Sequence, residues 1–139
     1  MKKPIGVRPF LDTNVLIYAF AEGDPRKDTA RRLLAEGGTT GVQNLNEFVG
    51  VARRKLGMSW PQVSAALNAI QTLCSSTVAV TIETHQTAVR IAERHGYGIF
   101  DALVVAAALQ NGSTFLYSED MQDGQVIDGL RIRNPFGHR

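Results

Sequence analysis

Short runs rich in β-branched and aromatic residues alternate along this chain with longer stretches whose apolar residues recur every three or four positions. Gly, Pro or Asn marks most of the junctions. Few folds accept such alternation. Strand, helix and strand in succession close as a right-handed crossover, so the pattern predicts an α/β sandwich with a mostly parallel central sheet flanked by helices. The 139 residues contain no internal repeat, low-complexity segment or interdomain linker, and one domain over 1–139 is expected.

Val7 to Leu11 reads as a short strand, with Pro9 as its weak point because proline gives no ladder donor. Val15 to Phe20 suits a helix. Asp24-Pro25 looks like a helix start and Gly37-Gly38 its stop, with Ala30, Leu33 and Leu34 on the apolar face. Thr39 to Val42 is a brief strand. "QNLNEFVGVARRKLG" carries Leu45, Phe48, Val49 and Ala52 at helical spacing and ends at Gly57. Ser59 caps another helix, with Pro61 in its first turn. Thr77 to Ile82 is a strand by its β-branched content, and Thr84 opens a helix that Gly96 closes. Asp101 to Gln110 is an alanine-rich helix ended by Asn111-Gly112. "TFLYS" and "GLRIRN" are strands on either side of the turn-rich "EDMQDGQVIDG".

Composition excludes several classes. The longest apolar run, Ala102 to Leu109, is eight residues, against the roughly 20 that span a bilayer. No signal-peptide run precedes Asp12, and with a single cysteine, Cys74, no internal disulfide forms, so a cytoplasmic chain is expected. A net charge of +2 permits nucleic-acid binding without arguing for it. Arg31-Arg32 and Arg53-Arg54-Lys55 are local basic clusters, open to two readings: solvated helix faces or phosphate contacts. His85, His95 and His138 have no paired spacing and no cysteine partners, which argues against zinc. There is no nucleophile elbow, Walker loop or dinucleotide-binding glycine loop.

Four carboxylates stand in or beside apolar sequence: Asp12 in "FLDTNVLIYAF", Glu47 in "NLNEFVGV", Asp101 in "GIFDALVVAAAL" and Asp120 after "FLYSE". Each has an ordinary explanation. Asp12 and Asp101 suit helix N-caps, Glu47 a solvated first turn, and Asp120 and Asp123 a loop. Gathered at one crevice, however, they would raise each other's pKa and call for a cation. A ligand set made only of oxygens selects Mg²⁺ or Mn²⁺ over zinc.

These four motifs, in this order, resemble those of PIN domains, and in particular the VapC-type ribonuclease toxins of bacterial toxin–antitoxin pairs. The resemblance runs from about Val7 through Pro135. It implies a PIN-like three-layer sandwich and a metal site made by Asp12, Glu47, Asp101 and Asp120, which are also the catalytic acids. Thr13, Asn14 and Ser118 would orient ligands or water, and Asp123 is a possible additional acid. It further implies Mg²⁺, with Mn²⁺ able to substitute, hydrolysis of structured or single-stranded RNA, a homodimer and an antitoxin partner that binds DNA.

Arg31, Arg53 and Arg54 are candidates to offset the repulsion between acids and phosphate. Val49, Leu56, Trp60, Val63 and Leu67 suit either a dimer surface or the core. Two rivals are a PIN-like module that binds RNA or protein without cutting and a haloacid-dehalogenase-like phosphatase. The phosphatase chemistry asks for a second Asp two residues after the first, where this chain has Asn14.

Overall fold

The computed structural model describes residues 8–137. The beginning of the expected first strand at Val7, and His138, lie outside the described residues. In chain order the elements are β1 (Phe10–Leu11), α1 (Thr13–Tyr18), α2 (Lys27–Ala35), β2 (Thr39–Gly41), α3 (Val42–Arg54), α4 (Trp60–Leu73), β3 (Ser76–Val78), α5 (Ile82–His95), α6 (Ile99–Gln110), β4 (Phe115–Tyr117), β5 (Val126–Ile127) and β6 (Leu130–Arg133).

The strands form one six-stranded sheet in the order β3-β2-β1-β4-β6-β5. All neighbours are parallel except β5 and β6. The α/β sandwich expected from the alternation is the fold observed. Because side chains alternate across a strand, Phe10 joins the apolar cluster under α5 and α6 while Leu11 joins the one under α1 to α4. Helices therefore cover both faces, which makes three layers. Val63 is core, and Val49 and Leu67 pack against it, whereas Trp60 stays largely exposed. Cys74 is buried in the same cluster, and burial pushes its thiol up to about 11.

The chain steps from β1 outward to β2 and β3, then returns to set β4 on the other side of β1. That reversal leaves a crevice at the C-terminal end of β1, the usual ligand position of an open parallel sheet. Asp12 is the first residue beyond β1, and its backbone N–H still donates to the carbonyl of Tyr117 at 3.0 Å.

Several element ends differ from the sequence reading, two of them through side-chain hydrogen bonding at Asp24 and at Thr81. Helix α2 begins at Lys27 because the Asp24 carboxylate accepts the Arg26 N–H and pairs with its guanidinium instead of capping. Val42 ends no strand; it opens α3. Strand β3 stops at Val78, since Thr81 is the cap of α5 and Thr84 is the third helical residue of that capping box. Gly98, not Asp101, precedes α6. Glu47 lies one and a half turns into α3 rather than in its first turn. Strand β5 falls inside the segment read as turns. It pairs with β6 through Asp128-Gly129, both at positive φ (48° and 88°), the dihedral signs of a type I′ hairpin.

Candidate active site

The C-terminal end of β1 opens into a cavity of about 380 Å³. Asp12, Glu47, Asp101 and Asp120 all line it, with Thr13, Asn14, Tyr18, Lys55 and Phe100 among their neighbours. Each acid comes from a different part of the chain. Asp12 caps α1, Glu47 projects from α3, Asp101 sits in the first turn of α6, and Asp120 follows β4.

Asp12 is 5% exposed. One carboxylate oxygen accepts the Thr13 backbone N–H (2.7 Å) and the Asn44 amide (3.3 Å); the other accepts the Ser118 hydroxyl (2.7 Å). All three donors are neutral. Burial pushes its pKa up to about 6 against those hydrogen bonds, and the nearby Asp101 and Asp120 carboxylates add to the rise. Asp101 is likewise pushed above the usual carboxylate range, by burial and then by Asp120. Thr13 donates its hydroxyl to Glu47 at 3.1 Å and accepts from Asn44 at 3.0 Å, so one short network links Asp12, Thr13, Asn44 and Glu47. Asn14 donates its amide to Asp120 at 2.9 Å.

Among the described residues, no group of three or more His, Cys, Asp or Glu is drawn together as a ready metal cage. The four acids share a cavity wall without closing on one point. The donor chemistry still suits a hard divalent cation, since the acids lining the cavity are carboxylates with no His or Cys among them. A buried carboxylate held only by neutral donors, beside two further acids, has most to gain from such an ion.

Asp123 takes no part in the cavity wall; its side chain accepts the Asn134 backbone N–H at 2.8 Å and so ties the loop to the chain after β6. The basic residues also sort differently from expectation. Arg31 donates to the Ala19 carbonyl, and Arg53 donates to the Met58 carbonyl while stacking over Trp60. Arg54 is exposed and does not line the cavity. Among the described residues, the cation in the cavity wall is Lys55.

Sequence reasoning missed two contributors. Asn44 stands three residues before Glu47 on α3, so helical spacing from that acid would have found it; Lys55, the residue just past α3, belongs to the basic cluster noted in the sequence. The second is a clamp on the Asp120 loop. Arg26 grips Asp24 (2.8 Å) and Glu119 (2.9 Å), its guanidinium lies 3.7 Å from the Tyr18 ring centre, and the Tyr18 hydroxyl donates to Glu119. The phenol is pushed up by burial and by Glu119, which keeps it a donor. No local pattern signals these contacts, because Arg26 and Glu119 meet only through the fold.

Comparison with known proteins agrees with this geometry. The PIN domain family matches residues 10–123. Among solved structures, the chain is similar to VapC20 of Mycobacterium tuberculosis, a sarcin-ricin loop cleaving toxin, with 27% identity over 80% of this chain and 88% of that one and a TM-score of 0.63. A toxin–antitoxin complex from Klebsiella pneumoniae shares the fold at 18% identity, over 92% and 98% of the two chains, with a TM-score of 0.70. So does VapBC2 of Rickettsia felis, bound to a DNA fragment from its promoter, at 19% identity over 90% and 96%, with a TM-score of 0.64. No protein of curated function matches the sequence. A central carboxylate just beyond β1, three more acids around one cavity and a family match over most of the chain together place this protein in the PIN-domain family.

Proposed function

We propose that the protein is a VapC-type toxin, an endoribonuclease that hydrolyses RNA phosphodiester bonds with a carboxylate-held Mg²⁺, for which Mn²⁺ substitutes. The observation that carries this reading is the cavity itself, four carboxylates and, among the described residues, no histidine base at the end of the central strand. The similarity to VapC20, a sarcin-ricin loop cleaving toxin, supports the toxin assignment. In this reading the protein acts in the cytoplasm as a homodimer and is restrained by a cognate antitoxin.

Asp12, Asp101, Glu47 and Asp120 are the residues that would hold the ion. Once bound, it supplies charge neutralisation at the phosphate and a more acidic water. The remaining work belongs to the chain. Ser118, Asn44 and the Thr13 N–H fix both oxygens of Asp12, so the carboxylate meets its ligand without rotamer search. Thr13 orients Glu47, and Asn14 orients Asp120. With an amide in that role, position 14 supplies no acid of the kind a haloacid-dehalogenase-like phosphatase needs.

Purified protein should cut bacterial total RNA in Mg²⁺ or Mn²⁺ and stop in EDTA, read as new RNA ends; cutting that persists in EDTA would overturn the assignment. The clamp gives a second expectation. Arg26→Ala removes the guanidinium that ties Glu119, the neighbour of Asp120, to Tyr18 and Asp24, and should slow cleavage about tenfold with the protein still folded. Arg26→Lys should recover little, because a single ammonium does not reproduce the fork. Kinetics at saturating Mg²⁺, paired with circular dichroism, read both.

A further inference from the structure

Phe100 is 61% exposed, one residue before Asp101 in the first turn of α6, and both line the carboxylate cavity. Its ring belongs to neither apolar cluster of the core. Other exposed rings are covered by a guanidinium: Trp60 by Arg53 at 4.6 Å and Phe115 by Arg133 at 5.3 Å. Among the described residues Phe100 has no such cover. Lys55 lines the same cavity from the end of α3, on the face that also presents Glu47 and Val51.

We propose that Phe100 and Lys55 form a nucleotide subsite, in which the ring stacks on an unpaired base beside the scissile phosphate and the ammonium holds a phosphate of the same strand. This rests on the ribonuclease reading and names its substrate as single-stranded RNA at that position. A base paired and stacked in a helix offers no free face, whereas an unpaired one has a π-face for the ring whatever its identity. An apolar peptide on Phe100 would bury the ring and also strip water from Asp101 and Lys55. A nucleotide serves all of them, with its base on Phe100 and its phosphate on Lys55. Its scissile phosphate is then at the acid-held cation.

The test uses a short mixed-sequence single-stranded RNA with a fluorescent label. Its binding is followed by anisotropy, with Ca²⁺ replacing Mg²⁺ to slow cutting. Phe100→Ala should weaken binding roughly five- to hundredfold, Phe100→Leu should do the same, and Phe100→Tyr should bind as the parent does. Lys55→Gln should lower the slope of log affinity against log salt by about one. Equal binding by the parent and Phe100→Ala, full binding by Phe100→Leu, or no binding by the parent overturns the subsite. None of these outcomes depends on whether RNA is cut in Mg²⁺, so failure of the ribonuclease reading is seen separately, as intact total RNA. Because Phe100 is exposed and outside the core, its variants should fold, which circular dichroism verifies.

Discussion

Asp12→Asn should abolish RNA cleavage, a loss of at least about a thousandfold, and at the same time make the protein harder to melt at neutral pH. The two effects have one cause. Asp12 is buried and its pKa is pushed up to about 6, from an ordinary 3.8. The native state therefore holds that proton more tightly than the unfolded chain does. Stability from this group is full below the unfolded value, falls as pH rises from about 4 to about 6, and stays reduced above that by roughly 3 kcal/mol. Asparagine carries no charge to desolvate. It keeps the shape, its oxygen still accepts the Thr13 N–H, and its amide donates to Ser118, whose hydroxyl turns to accept. Thermal melting at pH 7 should show Asp12→Asn several degrees above the parent, with the two converging near pH 3.5. A lower melting temperature for the variant at pH 7 would mean that the charged form is not the costly one.

The second large effect is the linkage of cation binding to the same proton. A divalent ion binds the ionised carboxylate, so binding in the cavity has to displace the Asp12 proton wherever it is present. With a pKa of about 6, roughly nine tenths of Asp12 is ionised at pH 7 and one tenth at pH 5. Apparent affinity for Mn²⁺ should fall about tenfold between those values. Burial and Asp120 push Asp101 in the same direction, which steepens the dependence. The ion also offsets the penalty described above, so Mn²⁺ at a hundred times its dissociation constant should raise the melting point of the parent, by about 2.7 kcal/mol of linkage. It should leave Asp12→Asn nearly unmoved.

The fold was legible because apolar spacing follows the elements that bury it. Leu33 and Leu34, or Phe48 and Ala52, mark helix faces whatever their tertiary partners. Ends were less legible. Asp24 has the look of a helix cap, but Arg26 offers it a backbone N–H and a fork of guanidinium donors, a pairing that spacing does not reveal. Strand β5 has two residues, too few for alternation to register, although Asp128-Gly129 is a hairpin dipeptide that could have been read.

For the site, Asp12 stood out because a charge between apolar runs needs a reason to be buried. Asp120 and Asp123 sit in one turn-rich segment with the same chemistry. Only the fold separates them, by putting one in the cavity wall and the other on the Asn134 N–H. The arginine candidates for phosphate lie outside the cavity wall for a related reason. Arg31 and Arg53 satisfy backbone carbonyls, a use of arginine that a basic cluster in sequence does not distinguish from a binding patch.

Calorimetric titration of Mn²⁺ into the protein tests most directly whether these carboxylates are held near one another for the sake of a cation. The expected result is binding at pH 7 that weakens about tenfold at pH 5, releases about half a proton from Asp12 at pH 6 and more below it, and disappears in both Asp12→Asn and Asp101→Asn. Binding of equal strength at the two pH values, or binding that survives both substitutions, would contradict it.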